Sequence, residues 1–166
     1  TNFQYNNKNT LIQITYPDNS TRIYTFDANG NKISEQDENG NITTYTYNHW
    51  DKIGTVTDPE NCVEQFGYDS IGRNISYTDP NGFQYQKEFD LRDRVTKYIF
   101  PDNSCYQFQY AAQSTSKVLD AEKGNPVKII DPMGNVSEIE YNELYAYKAL
   151  INAYNYKTNI TWDSHD

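Results

Sequence analysis

The sequence predicts an all-β fold: tandem antiparallel β-hairpin repeats of 21 residues, forming an open, curved and twisted sheet with a short C-terminal helix as its cap. Three observations carry that expectation. An aromatic residue followed by Asp or Asn returns every 21 residues, turn-forming residues keep the same beat, and the composition favours strands. Of 166 residues, 36% are hydrophobic and 15% aromatic, with 16 tyrosines against 7 phenylalanines and 2 tryptophans. Tyr, Thr, Ile and Val suit a pleated, half-buried surface. This aromatic content argues against disorder, which is left to the tails.

The repeat position is filled by Tyr5, Phe26, Tyr47, Tyr68, Phe89 and Tyr110, each 21 residues after the last, and by Tyr141 after one step of 31. The residue two before it is aromatic in five of the six 21-residue steps, at Phe3, Tyr24, Tyr45, Phe66 and Phe108, with Lys87 the exception, and the longer step reaches Ile139-x-Tyr141. Turns alternate with these anchors at Tyr16-Pro17-Asp18-Asn19, Asp37-Glu38-Asn39-Gly40, Asp58-Pro59-Glu60-Asn61, Asp79-Pro80-Asn81-Gly82, Phe100-Pro101-Asp102-Asn103 and Asp131-Pro132-Met133-Gly134. Pro presets the first corner of such a turn, and Asn or Gly accepts a positive φ. Ile12-x-Ile14-x-Tyr16 before a turn and Tyr24-x-Phe26 after it alternate as strands do, so each turn closes a hairpin. A second turn, as in Ala28-Asn29-Gly30-Asn31 or Ser70-Ile71-Gly72-Arg73, joins one hairpin to the next.

Residues 1–141 are thus expected to form the repeat array, interrupted at about 111–125 by an insertion read as a surface loop. Residues 142–166 are expected to form a cap or linker. Asn142 caps a helix over about 143–152 with Leu144, Tyr147, Leu150 and Ile151 in one stripe, and a strand follows over about 154–162 with Tyr154, Tyr156, Ile160 and Trp162 alternating. Repeat arrays need atypical terminal units to cover their edges.

The formal charge of −9 opposes binding to phosphate backbones, so no nucleic-acid partner is expected. No apolar run is long enough to be a transmembrane segment, and no signal peptide is recognisable in a chain that starts mid-pattern, as an excised fragment would. Cys62 and Cys105, 43 residues apart and so two repeats plus one, are expected to stay unpaired.

These residues resemble the RHS/YD-repeat family, whose unit runs Tyr-Asp-x-x-Gly-Arg-(Leu/Ile) and later Asp-Pro-x-Gly. The fullest copy is Tyr68-Asp69-Ser70-Ile71-Gly72-Arg73-Asn74-Ile75 with Asp79-Pro80-Asn81-Gly82; Phe26-Asp27 and Phe89-Asp90 head looser ones. Asn48 and Asn142 replace the acid, Ala111 removes it, and Asp51 and Asp93 stand at the glycine position. The resemblance covers about residues 3–142. It implies a β-sheet wall belonging to a hollow shell, as in bacterial RHS proteins and Tc-toxin shell components that enclose a toxin, or an adhesion surface, as in teneurins and wall-associated proteins. It also implies secretion or display at the cell surface. The partners it implies are adjoining repeats of the same full-length chain and either an encapsulated toxin or a surface glycan.

No catalytic, cofactor or metal residues are expected. His49 sits in a turn and His165 in the tail, and the acids are mostly turn residues. Asp131-Pro132-Met133-Gly134 resembles the cleavage region of the RHS autoprotease core, but Asn135 stands where that run has Leu, and the tetrapeptide falls where a repeat turn belongs. The loops Asp27-Ala28-Asn29-Gly30-Asn31 and Asp37-Glu38-Asn39-Gly40-Asn41 carry hard oxygen donors without the EF-hand spacing. Exposed Tyr and Trp rings among Asn, Asp and Gln make glycan binding the rival function. The five sequons, at Asn19, Asn41, Asn74, Asn135 and Asn159, follow from composition. In the anchors, the ring is expected to pack while its hydroxyl stays in water.

Overall fold

The computed structural model describes residues 1–110, 125–141 and 147–160. Fifteen strands and no helix lie among them. The chain divides into two compact units, Thr1–Gln84 and Tyr85–Asp166.

In the first unit, β1 (Asn2–Tyr5), β2 (Leu11–Thr15), β3 (Thr21–Phe26), β4 (Lys32–Gln36), β5 (Ile42–Tyr47), β6 (Ile53–Thr57), β7 (Val63–Tyr68) and β8 (Asn74–Thr78) follow chain order, each antiparallel to the next. The second unit repeats the arrangement with β9 (Gln84–Phe89, its first residue at the unit boundary), β10 (Val95–Ile99), β11 (Cys105–Tyr110), β12 (Pro126–Ile130), β13 (Val136–Tyr141), β14 (Tyr147–Ile151) and β15 (Lys157–Asn159).

Among the described residues, one turn design recurs twelve times, beginning at residues 6, 16, 27, 37, 48, 58, 69, 79, 90, 100, 131 and 152. In every copy the first residue's amide donates to the carbonyl four residues on, and the fourth residue's amide donates back to the first carbonyl. This is a type I turn closed by a left-handed residue, a three-residue hairpin loop. The fourth position accordingly holds every positive-φ residue described: Asn9, Asn19, Asp51, Asn61, Asp93, Asn103 and Asn155, with Gly30, Gly40, Gly72, Gly82 and Gly134. Only Gly, Asn and Asp occupy it, the residues that tolerate this backbone. In the Pro-containing copies, the positive φ falls two residues beyond the proline.

An odd repeat poses a problem for strands, whose side chains alternate with period two: without correction, each copy would turn inside out relative to the last. A bulge in each repeat solves it. The register skips Ile12, Ile33, Gly54, Ile75, Thr96, Val127 and Lys148, always opposite the end of the strand that carries the aromatic anchor. The extra residue restores the alternation and strengthens the local twist.

With the faces kept in phase, one face of the first unit carries Phe3, Ile14, Tyr24, Tyr45, Val56, Phe66 and Tyr77, and the other carries Gln4, Gln13, Thr44, Thr57, Gln65 and Thr78. Among the described residues only Ile139 and Ala149 are buried apolar side chains. Half-buried cross-strand pairs and turn networks therefore stand in for a core.

The C-terminal region departs from expectation. Tyr147–Ile151 is strand β14 on the edge of β13, with Ile139 opposite Leu150 and Glu140 opposite Ala149, so the expected helix is corrected to a strand over these residues. The i, i+3 and i, i+4 spacing fitted a helix, but β13 presents a row of unpaired backbone groups, and pairing with it overrides local preference. Leu144 lies outside the described residues. The expected strand at 154–162 shrinks to β15, because Tyr154 and Tyr156 belong to a further turn that starts at Asn152, 21 residues after Asp131. Trp162 and His165 lie outside the described residues, as does most of the inserted segment.

Candidate functional site

The residues singled out from the sequence meet at the junction between successive hairpins. Tyr5, Phe26, Tyr47, Tyr68, Phe89, Tyr110 and Tyr141 each end the strand that leads into a junction. Four of them do more than pack. Tyr47 Oη donates to the Lys32 carbonyl at 2.9 Å, Tyr68 Oη to Ile53 at 2.9 Å, Tyr110 Oη to Val95 at 2.6 Å and Tyr141 Oη to Pro126 at 2.9 Å. The acceptor is always 15 residues earlier, in the first residue of the preceding strand. The expectation of wet hydroxyls is therefore wrong at these four positions: each phenol is a rung tying its strand to the previous one. Desolvation raises the phenol pKa of Tyr47 and of Tyr110.

The residue after the anchor organises the turn. Asp69 Oδ1 accepts from the Ile71 and Arg73 amides, and Asp69 Oδ2 accepts from Arg73 Nε at 2.6 Å. Asp90 holds Arg92, Arg94 and the Arg94 guanidinium in the same way, and Asp27 holds Gly30 and Asn31. Arg73 thus pairs within its own turn. Ten of the twelve turns have Asp or Asn in this role. The other two begin with Tyr16 and Phe100, and there Asp18 and Asp102, two residues on, take the Ser20 and Ser104 amides.

These bonds tune the acids. Desolvation works to raise Asp69 and Asp90, but the amides and guanidinium they accept from outweigh it and hold both below the usual carboxylate range. Asp27 is lowered first by the Asn31 amide, and Asp37 and Asp131 first by the side-chain amides of Asn41 and Asn135.

Adjacent anchor-side turns are also stapled to each other in the first unit. Lys8 Nζ donates to the Ala28 carbonyl at 3.1 Å, Asn29 and Asn31 donate to Asp51 at 3.1 and 2.7 Å, and Lys52 Nζ donates to the Gly72 carbonyl. Lys52 also lies 5.6 Å from the centroid of the Tyr68 ring, and in the second unit Arg94 lies 4.2 Å from that of Tyr110. Gly72 leaves room for this contact, since a Cβ there would stand 3.1 Å from Lys52 Nζ.

The other candidates are less organised. His49 packs against its neighbour Trp50, ring centroids 3.7 Å apart, in an exposed turn. Asp131 is an ordinary turn acid, with Oδ1 on the Met133 and Asn135 amides. Asp58, Glu60 and Cys62 bring potential ligand atoms together. That grouping went unnoticed in the sequence because it falls within a single turn, and the Asp58 charge pushes the Cys62 thiol up, away from the thiolate a metal prefers. Cys62 and Cys105 are free thiols. Concavities occur in each unit. One, about 310 Å³ in the first unit, mixes Lys8, Asn6, Gln13 and Asp27 with Tyr24 and Phe26. Another, about 320 Å³ in the second, is lined mainly by Tyr98, Tyr106, Phe108, Tyr110, Val95 and Pro126.

A family model described as RHS Repeat matches residues 26–61, from the Phe26 anchor through the β4–β5 hairpin and β6 to Asn61, the left-handed residue of the next turn. The chain carries an RHS repeat. The bulge, the turn network and the tyrosine rung extend its geometry to copies on both sides of the matched residues. No curated protein matches the chain. Among solved structures, the Photorhabdus luminescens Tc holotoxin pore, in a form with a TccC3 mutation, superposes with a TM-score of 0.59 at 17% identity, over 86% of this chain and 7% of that one. The crystal structures of TcdB2–TccC3, with and without its hypervariable C-terminal region, superpose with a TM-score of 0.63 at 14% identity, over 89% of this chain and 9% of theirs. At these identities the likeness is one of fold. The chain spans less than a tenth of the structures it matches.

Proposed function

We propose that the chain is a structural wall segment of an RHS-repeat protein of the toxin-delivery or cell-surface class, contributing β-sheet to a shell and performing no catalysis itself. The observation that carries this reading is the use made of the repeat residues: phenols, acids and guanidinium groups at the hairpin junctions are engaged with backbone or with each other, and so serve to continue the sheet. The RHS repeat match and the fold shared with Tc-toxin structures support it. The adjoining repeats of a longer chain are its immediate partners, and a protein enclosed by the shell is the further one. Protease digestion of the longer protein tests this. A wall predicts that sequence enclosed by it survives while the wall is folded and is cut once the wall is unfolded by urea; equal cutting in both states contradicts the reading.

A second reading, a glycan-binding surface module, rests on the first-unit concavity, whose lining includes Tyr24 and Phe26 with Asn6 and Asp27. A glycan array separates the two: a wall binds no glycan selectively, whereas an adhesion module binds a defined set and loses it on Tyr24→Ala.

A further inference from the structure

One copy of the repeat interrupts the aromatic ladder. Two residues before the anchor, five of the 21-residue copies carry Phe3, Tyr24, Tyr45, Phe66 and Phe108, but one carries Lys87. In the copy before Lys87, Phe66 pairs across the strand with Tyr77, and their ring centroids stand 5.4 Å apart. Lys87 pairs in the same register with Tyr98, which in turn lies opposite Tyr106 on β11. Tyr98 therefore has no ring directly opposite it on β9, where Tyr77 has Phe66 on β7. The concavity of about 320 Å³ in this unit is lined by Lys87 together with the rings of Tyr98, Tyr106, Phe108 and Tyr110.

These rings are held in place. Phe100 meets Tyr98 and Tyr106 edge to face, with centroids 5.2 and 5.9 Å away, and Tyr106 stacks on Phe108 at 6.5 Å. The Tyr110 hydroxyl is tied to the Val95 carbonyl. Lys87 is half-buried, yet its ammonium has no hydrogen bond, ion pair or ring contact. Lys32, Lys97 and Lys157, by contrast, each pair with a glutamate, and Lys52 holds the Gly72 carbonyl. Lys87 is also the one charged residue in the lining.

We infer that this concavity binds a small planar aromatic carboxylate, its ring lying against Tyr98 as Phe66 lies against Tyr77 and its carboxylate meeting Lys87 Nζ. An apolar hollow with one convergent charge is the usual form of a small-ligand site. Fixed rings favour a flat guest that can stack or meet them edge on, and an unpaired ammonium selects an anion through a charge-assisted hydrogen bond. The overall charge of −9 works against an anion. Salt at about 0.1 M screens charges more than about 10 Å away, so the ammonium inside the site decides. This inference goes beyond the wall reading and does not depend on it.

The test titrates the whole chain with 2-naphthoate, followed by amide NMR shifts. One saturable site is expected at about millimolar ligand or below, with shifts centred on Lys87, Tyr98, Tyr106 and Phe108. Lys87→Gln should weaken binding about fivefold, the worth of a partly exposed ion pair, and leave the affinity for uncharged 2-naphthalenemethanol unchanged. Lys87→Phe restores the ring that five copies carry; it should keep the β-sheet spectrum and abolish binding of both ligands. Tyr24→Ala, in the other unit, should change neither. Shifts that never saturate, equal affinity of Lys87→Phe and the parent chain, or equal weakening of both ligands by Lys87→Gln overturns the inference. An oligomer of the free chain that dissociates on Lys87→Phe would mean that a second copy fills the concavity, and overturns it too.

Discussion

Replacing Tyr68 by Phe deletes one hydroxyl and leaves the ring, isolating the rung from packing. Tyr68 Oη lies 2.9 Å from the Ile53 carbonyl. A net intramolecular hydrogen bond contributes about 1 kcal/mol. In a chain of 166 residues, a loss of that size lowers Tm by about 2–4 °C. The structure shows that the substitution fits, because Phe26 and Phe89 already occupy the same position in their own copies. Tyr68→Ala removes the ring too; for a half-buried aromatic the cost should be about 2 kcal/mol or more, below the ~3–5 of a full core site. The reciprocal change, Phe26→Tyr, adds a hydroxyl where the rung rule places the Leu11 carbonyl and should stabilise by up to about 1 kcal/mol. Urea denaturation of the four proteins, followed by far-UV circular dichroism, gives the midpoints. If Tyr68→Phe matches the parent chain, or Phe26→Tyr destabilises as much as Tyr68→Ala, the rung does not hold the strands and the argument fails.

Other consequences are open to measurement. Gly72→Ala forces a left-handed φ of 81° on a residue with a Cβ and brings it 3.1 Å from Lys52 Nζ; it should cost more than Gly82→Ala, which has a φ of 85° and open space, by thermal denaturation of both. Asp37, Asp69, Asp90 and Asp131 all have folded pKa values below their ordinary ones, so their contribution is complete above the unfolded value of about 4 and drains away as pH falls through the lower folded values. Urea midpoints should therefore fall as pH drops below about 4, and Asp131→Asn, which copies the amide acceptor that Asn6, Asn48 and Asn152 use in their turns, should flatten that dependence slightly. The raised phenols of Tyr47 and Tyr110 act in the opposite direction: their contribution is full below the unfolded value of about 10 and is lost as pH rises through the higher folded values. Stability measured against alkaline pH should fall less steeply in Tyr47→Phe.

The hairpin array was legible because it rests on local rules. Pro, Asn, Gly and Asp mark turns wherever they occur in the right order, and the 21-residue spacing of Tyr5 through Tyr110 survives substitutions at single copies. The rungs were not legible, since a tyrosine that donates to a carbonyl 15 residues away looks the same in sequence as one whose hydroxyl meets water. The bulge was hidden for a similar reason: the skipped position holds Ile12, Ile33 and Ile75 but also Gly54, Thr96, Val127 and Lys148, so no one residue marks it, and only the odd length of the repeat betrays that one residue in each must be left over. At the C-terminus the error came from reading Leu144, Tyr147 and Ile151 by helical spacing while overlooking Asn152 and Asn155, which stand 21 residues after Asp131 and Gly134 and keep the turn rhythm. A strand at an open sheet edge draws on pairing that a local window does not contain.

The central claim is that the molecule repeats one hairpin unit, each joined to the next by the same turn design and the same bulge register. Deleting residues 48–68 removes one repeat of 21 residues and joins Tyr47 directly to Asp69, recreating the anchor, the turn and the bulge register in their normal order. The account predicts that this shortened chain keeps the β-sheet spectrum and elutes as a compact monomer, with a Tm within several degrees of the parent. Deleting residues 49–68, one fewer, shifts the register and turns the following strands inside out, so that chain should unfold or aggregate. Equal behaviour of the two deletions, or loss of fold in the 21-residue deletion, would contradict the account.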